Sequence, residues 1–70
     1  MRLSTRNQLA GTVASVDRGT VMALVKVTLQ GGQEMTASIT REAVDDLGLA
    51  AGSPVTVLVK STEVMLAVDE

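Results

Sequence analysis

Between residues 21 and 29 the chain reads VMALVKVTL, with a period of two. Val21, Ala23, Val25, Val27 and Leu29 fall on one face; Met22, Leu24, Lys26 and Thr28 fall on the other. Successive side chains of an extended strand point to opposite faces, so this is the pattern of a β-strand and not of a helix. The second face is half apolar, as expected of a barrel wall that also meets another subunit.

The same period recurs on both sides. Residues 7–16 (NQLAGTVASV) set Leu9, Gly11 and Val13 against Ala10, Thr12 and Ala14, with Val16 closing the stretch. Gly11, inside this strand, marks a bend or a close backbone approach. Asp17, Arg18 and Gly19 form a short hairpin connection, with the glycine available for a positive φ. After a turn over residues 30–33 (QGGQ), residues 34–39 make a third strand with Met35, Ala37 and Ile39 on one face.

Thr40 then has the position of a helix N-cap, with Glu42 in the first turn, where the dipole favours a carboxylate. Ala43, Val44 and Leu47 have helical spacing, and Gly48 stops the helix after about two turns. Residues 51–54 (AGSP) turn the chain, and Pro54 is compatible only with an edge strand or a strand start. Residues 55–60 (VTVLVK) and 64–68 (VMLAV) are the fourth and fifth strands, linked by Ser61, Thr62 and Glu63. The predicted order is β-β-β-α-β-β. It describes an all-β, five-stranded OB-type barrel with one short helix between strands 3 and 4. With no repeat and no linker, residues 1–70 read as a single domain.

What is missing from the composition limits both stability and chemistry. The 70 residues include no Phe, Tyr, Trp, Cys or His. Aromatic side chains bury roughly 150–250 Å² each, so a core of Val, Leu, Ile, Ala and Met is thin. Disulfides and Cys/His zinc sites are excluded, which leaves self-association as the common remaining support for so small a chain. Thiol and imidazole nucleophiles and imidazole acid–base catalysis are excluded as well.

Six basic against eight acidic residues give a formal charge of −2, a poor match for a phosphate backbone. Without aromatics there is no stacking platform for single strands beyond Arg planes. No apolar run approaches a membrane span, and Met1-Arg2-Leu3-Ser4 does not open a signal peptide. A cytoplasmic protein is expected.

The candidate chemistry is narrow. Lys60 and Ser61 could form a Lys–Ser dyad, but consecutive strand residues diverge. Glu42, Asp45 and Asp46 read as a solvated helix face, and the calcium-loop spacing is absent. Met22, Met35 and Met65 on alternating strands read as core or interface filler, not as soft-metal ligands. Anion binding fits better. Ser4, Thr5, Arg6 and Asn7 place two hydroxyls, a guanidinium and an amide just before the first strand, and Lys60, Ser61 and Thr62 do the same after the fourth. A fully ionised oxyanion offers only acceptors, so it asks only for donors. A polar lead-in and an ordinary hairpin turn would use the same residue types.

Those residues carry a resemblance. The string of Ser4, Arg6, Asn7, Leu9, Gly11, Val13, Val16 and Gly19 resembles the opening of a Mop domain, the TOBE-like, molybdate-binding OB-type module of the molbindins. So do the ASIT run at residues 37–40, the turn from Leu47 to Gly52, and VKSTEVML at residues 59–66. The resemblance spans essentially the whole chain.

It implies a free-standing molbindin, a hexamer built as a trimer of dimers, holding molybdate or tungstate at subunit interfaces with no organic cofactor. By matching motifs it implies oxyanion ligation by Ser4, Thr5, Arg6, Asn7, Thr40, Ala43, Lys60 and Ser61. Ala43 replaces a serine found in some relatives, which leaves only its backbone N–H to donate. A second site type is implied for Asn7 with Gly19, Thr20 and Val21.

Four functions are ranked by these features, in order: a cytoplasmic molybdate store; a non-catalytic oligomerisation or interaction module without an anion; a nucleic-acid binder; and, last, an enzyme.

Overall fold

In the computed structural model, which describes residues 1–69, the alternating segments form one antiparallel sheet. The strands are β1 (Asn7–Arg18), β2 (Met22–Leu29), β3 (Glu34–Thr40) and β4 (Pro54–Val59), with a helix α1 (Arg41–Leu47) between β3 and β4. Their order in the sheet is β3-β2-β1-β4, so β1 and β2 are central and β3 and β4 are the edges. The sheet curls into a half-barrel around Val13, Ala23, Val25, Val27 and Val44, the fully buried core.

The period-two reading set the inward face of β2 correctly from Ala23 on, whereas Val21, expected on the same face, precedes the strand and is exposed. Ala23, Val25 and Val27 are buried, whereas Met22, Leu24, Lys26 and Thr28 are exposed. Gly11 is a close approach: a Cβ there would lie 2.7 Å from Val27 Cγ1 and 2.9 Å from the Thr28 carbonyl oxygen. Just beyond it, the pairing of β1 with β2 shifts register between Val13 and Ser15. This bulge inserts one residue, so that both Val13 and Val16 pack on the core side although three positions separate them.

Two boundaries differ from expectation. β1 continues through Asp17 and Arg18, which pair with Leu24 and Ala23, and the connection shortens to residues 19–21. Gly19 is not among the positive-φ glycines. Its smallness serves a close approach instead, since a Cβ would sit 2.8 Å from the Met22 carbonyl oxygen that its own N–H donates to. β4 starts at Pro54, a strand-start position where the missing N–H costs nothing in the ladder, and ends at Val59, one residue short of the sequence estimate.

The helix is bounded as expected. Thr40 Oγ1 accepts from the Ala43 N–H at 3.1 Å, and Gly48 terminates α1 at φ 63°. The Leu49 N–H donates to the Val44 carbonyl, which brings Leu49 back onto the core while Val44 plugs it from the helix.

The fifth strand is a correction. Four strands form within the described residues, and residues 64–68 are not one of them. After β4 the chain makes a single 3-10 turn, Ser61–Glu63, leaves it through an extended Val64, and continues exposed and without regular structure to residue 69. Within one chain the barrel is therefore open, because the segment with the fifth alternating pattern pairs with neither of the two free edges, β3 and β4.

Candidate functional site

Pairing of β1 with β4 decides which candidates meet. Asn7 stands opposite Val59, and its Nδ2 donates to the Val59 carbonyl oxygen at 3.1 Å. That bond clamps the start of β1 to the end of β4. Lys60 and Ser61 come directly after Val59, so they reach the same end of the sheet as Ser4, Thr5 and Arg6. The N-terminal lead is tied down by Gln8 Nε2, which donates to the Thr5 carbonyl at 2.8 Å. Two segments more than fifty residues apart in sequence thus share one corner.

The electrostatics of this corner suit an anion. Arg6 and Lys60 are exposed, and among the described residues neither is in an ion pair. The 3-10 turn uses the N–H groups of Glu63 and Val64, which donate to Lys60 and Ser61 carbonyls. The amides of Ser61 and Thr62 open that turn and find no acceptor within it. A guanidinium, an ammonium, hydroxyls and amides thus lie on two segments at one end of the sheet, with Glu63 as the one carboxylate nearby in sequence.

The remaining candidates gather at the opposite end of β1, roughly 30 Å away along a twelve-residue strand. The Arg41 N–H donates to the Val21 carbonyl at 2.8 Å, and Arg41 Nη1 reaches toward the Gly19 carbonyl at 3.5 Å. Gly19, Thr20, Val21, Thr40 and Ala43 therefore form a second corner. Ala43 offers no free donor, because its N–H is held by the Thr40 cap. Thr40 keeps one: its oxygen accepts the cap bond, so the hydroxyl proton remains to donate.

Thr20, Val21, Thr40 and Arg41 share an open hollow with Glu42, Asp45 and Asp46. Those carboxylates oppose an anion there in an isolated chain. Arg18 draws one of them aside through a contact of 3.5 Å between Nε and Asp45 Oδ1.

Sequence reasoning missed Arg41, and its signal was position. It immediately succeeds the cap residue, so it is fixed by whatever fixes Thr40. The grouping also needs a physical qualification. The eight residues of the expected oxyanion site divide between two ends of one chain, and Asn7 lies at the far end from Gly19, Thr20 and Val21.

Known proteins share this fold. The model of the TOBE domain family matches residues 3–66. The chain belongs to the TOBE domain family. This TOBE domain is 41% identical over 66 residues to molybdenum-pterin-binding protein 3 of Clostridium pasteurianum, with 94% of this chain and 97% of that one aligned. It is 52% identical over 68 residues to the molybdenum transport protein ModE of Herbaspirillum seropedicae, of which it spans 25%.

Among solved structures, a molybdate-binding protein from Sporomusa ovata superposes with a TM-score of 0.90 at 43% identity, covering 96% of this chain and 98% of that one. MopII from Clostridium pasteurianum gives 0.91 at 39% identity, covering 96% and 100%.

Proposed function

We propose that this TOBE domain binds molybdate, and tungstate of the same charge and shape, as a cytoplasmic store without catalysis. The observation that carries the reading is the donor-rich corner where Asn7 clamps Val59, with Arg6 and Lys60 in no ion pair beside it. The relatives and the structural neighbours named for molybdenum or molybdate give the ligand class its support. No helix among the described residues is long and apolar enough to cross a membrane.

The assembly is a homo-oligomer, a hexamer arranged as a trimer of dimers. Ser4, Thr5, Arg6, Asn7, Lys60 and Ser61 supply one side of the oxyanion site. Thr40 reaches it from a neighbouring copy with its hydroxyl proton, since one chain holds it at its other end, whereas Ala43 lies beside it with its N–H spent on the Thr40 cap. Asn7 of one copy with Gly19, Thr20 and Val21 of another makes the second site type. The alternative of a pure interaction module draws on the exposed C-terminal segment, and mass spectrometry of the native assembly with and without molybdate separates the two readings.

The direct test is isothermal titration with molybdate, tungstate and sulfate in parallel, read as stoichiometry per subunit. Saturable binding of molybdate and tungstate is expected, with sulfate weaker. Absence of molybdate binding by the folded, associated protein overturns the reading.

A further inference from the structure

Arg41 stands where helix electrostatics would not place it. It is the first residue of α1, where the helix dipole favours a carboxylate and disfavours a cation. A charge that works against its own element points to a use outside it.

Its surroundings point the same way. Asp45 follows four residues later on the same helix face, and is the carboxylate such an arginine would ordinarily pair with. Arg18 at the end of β1 holds that carboxylate instead, with Nε 3.5 Å from Oδ1. Glu42 is the next residue, and sequence neighbours in a helix do not face each other. Arg41 is exposed, and among the described residues it is in no ion pair.

Two contacts tie it to the connection between β1 and β2. Its backbone N–H donates to the Val21 carbonyl at 2.8 Å. Its Nη1 lies 3.5 Å from the Gly19 carbonyl oxygen, at the outer limit of a hydrogen bond. The backbone is thus firmly joined to residues 19–21, while the guanidinium is only steered toward them and keeps most of its N–H donors free.

The second site type, Asn7 of one copy with Gly19, Thr20 and Val21 of another, has an amide, a hydroxyl and backbone groups but no charge of its own. Glu42, Asp45 and Asp46 line the hollow that Thr20 and Val21 share with Arg41, so without a cation it repels a dianion. We propose that Arg41 is a binding residue for the oxyanion at this second site. Its guanidinium, steered by the Gly19 carbonyl and kept from Asp45 by Arg18, supplies the charge and the paired donors that residues 19–21 lack. The inference rests on the molybdate reading and adds to it a ligand from outside the sequence motifs.

The test compares the full-length wild type with Arg41→Met, which keeps the stem and the backbone N–H, and Arg41→Lys, which keeps the charge. Each is titrated with molybdate at low and at high salt, and its thermal unfolding is followed without ligand. Arg41→Met is expected to weaken one class of molybdate site about tenfold to a hundredfold, as loss of a hydrogen bond to a charged group does. Its binding should also depend less on salt. Without ligand it should melt at the wild-type temperature or above, because a cation has left the helix N-terminus. Arg41→Lys is expected to recover part of the affinity.

Molybdate affinity and stoichiometry unchanged in Arg41→Met overturn the proposal. So does a destabilised or unfolded Arg41→Met, which would show that the guanidinium serves the fold. A folded, associated wild type that takes up no molybdate removes the ligand reading and the role of Arg41 with it, whereas wild-type binding that Arg41→Met leaves intact removes Arg41 alone.

Discussion

At the scale of single residues, Gly11 and the two unpaired cations have the clearest consequences. Gly11 faces Val27 Cγ1 and the Thr28 carbonyl at distances no real Cβ tolerates. Gly11→Ala must displace backbone of a central strand, and about 1–3 kcal/mol of stability should be lost in urea unfolding. Arg6 and Lys60 should behave differently. Both are exposed and hold nothing in the fold, so Arg6→Ala and Lys60→Ala should leave thermal stability without ligand nearly unchanged. Hydrogen bonds to charged groups contribute about 1.5–3 kcal/mol, so each change should weaken molybdate binding about tenfold to a hundredfold in titration. Unchanged affinity in both variants would remove them from the site.

At the scale of elements, α1 is short and depends on its ends. Seven residues cannot sustain a helix by propensity. Thr40 caps one end, Gly48 closes the other in the left-handed region, and Val44 anchors the middle in the core. Thr40→Ala should cost about 1 kcal/mol through the cap alone, measured by thermal unfolding, whereas Thr40→Ser should restore it.

The elements also show where sequence reasoning succeeds. The alternation in β2 located the buried face because burial on one side leaves a period-two record. The step from Val13 to Val16 broke that period, and the bulge is its structural form. The hairpin after β1 was placed early because Asp17 and Arg18 have turn-like chemistry, yet the ladder with Leu24 and Ala23 extended the strand through them.

At the scale of the whole molecule, five buried side chains, none larger than valine, make a thin core for a sheet with two free edges, β3 and β4. Ligand and assembly then support each other. With molybdate at a hundred times its dissociation constant, a linked site adds about 2.7 kcal/mol to the stability of the bound form. Thermal unfolding should therefore shift upward with molybdate and with protein concentration. A melting temperature that responds to neither would contradict an interfacial site.

The candidate site was only partly legible in the sequence. Donor-rich segments at residues 4–7 and 60–61 stood out by chemistry, but their meeting depended on Asn7 pairing with Val59 across the sheet. That Thr40 and Ala43 lie at the other end depended on the length of β1.

The amino-acid sequence by itself determined most of the strand faces, the capped helix, the turns at residues 30–33 and 51–53 and the donor-rich candidate segments. Each of these is a local property, recorded in the periodicity or in residue type. Only the tertiary structure decided that the fifth alternating segment has no partner within its own chain, and that the expected ligands divide between two corners. Strand pairing over long separations is set by which edges meet and what core they enclose, and no local pattern encodes whether an alternating segment finds such an edge.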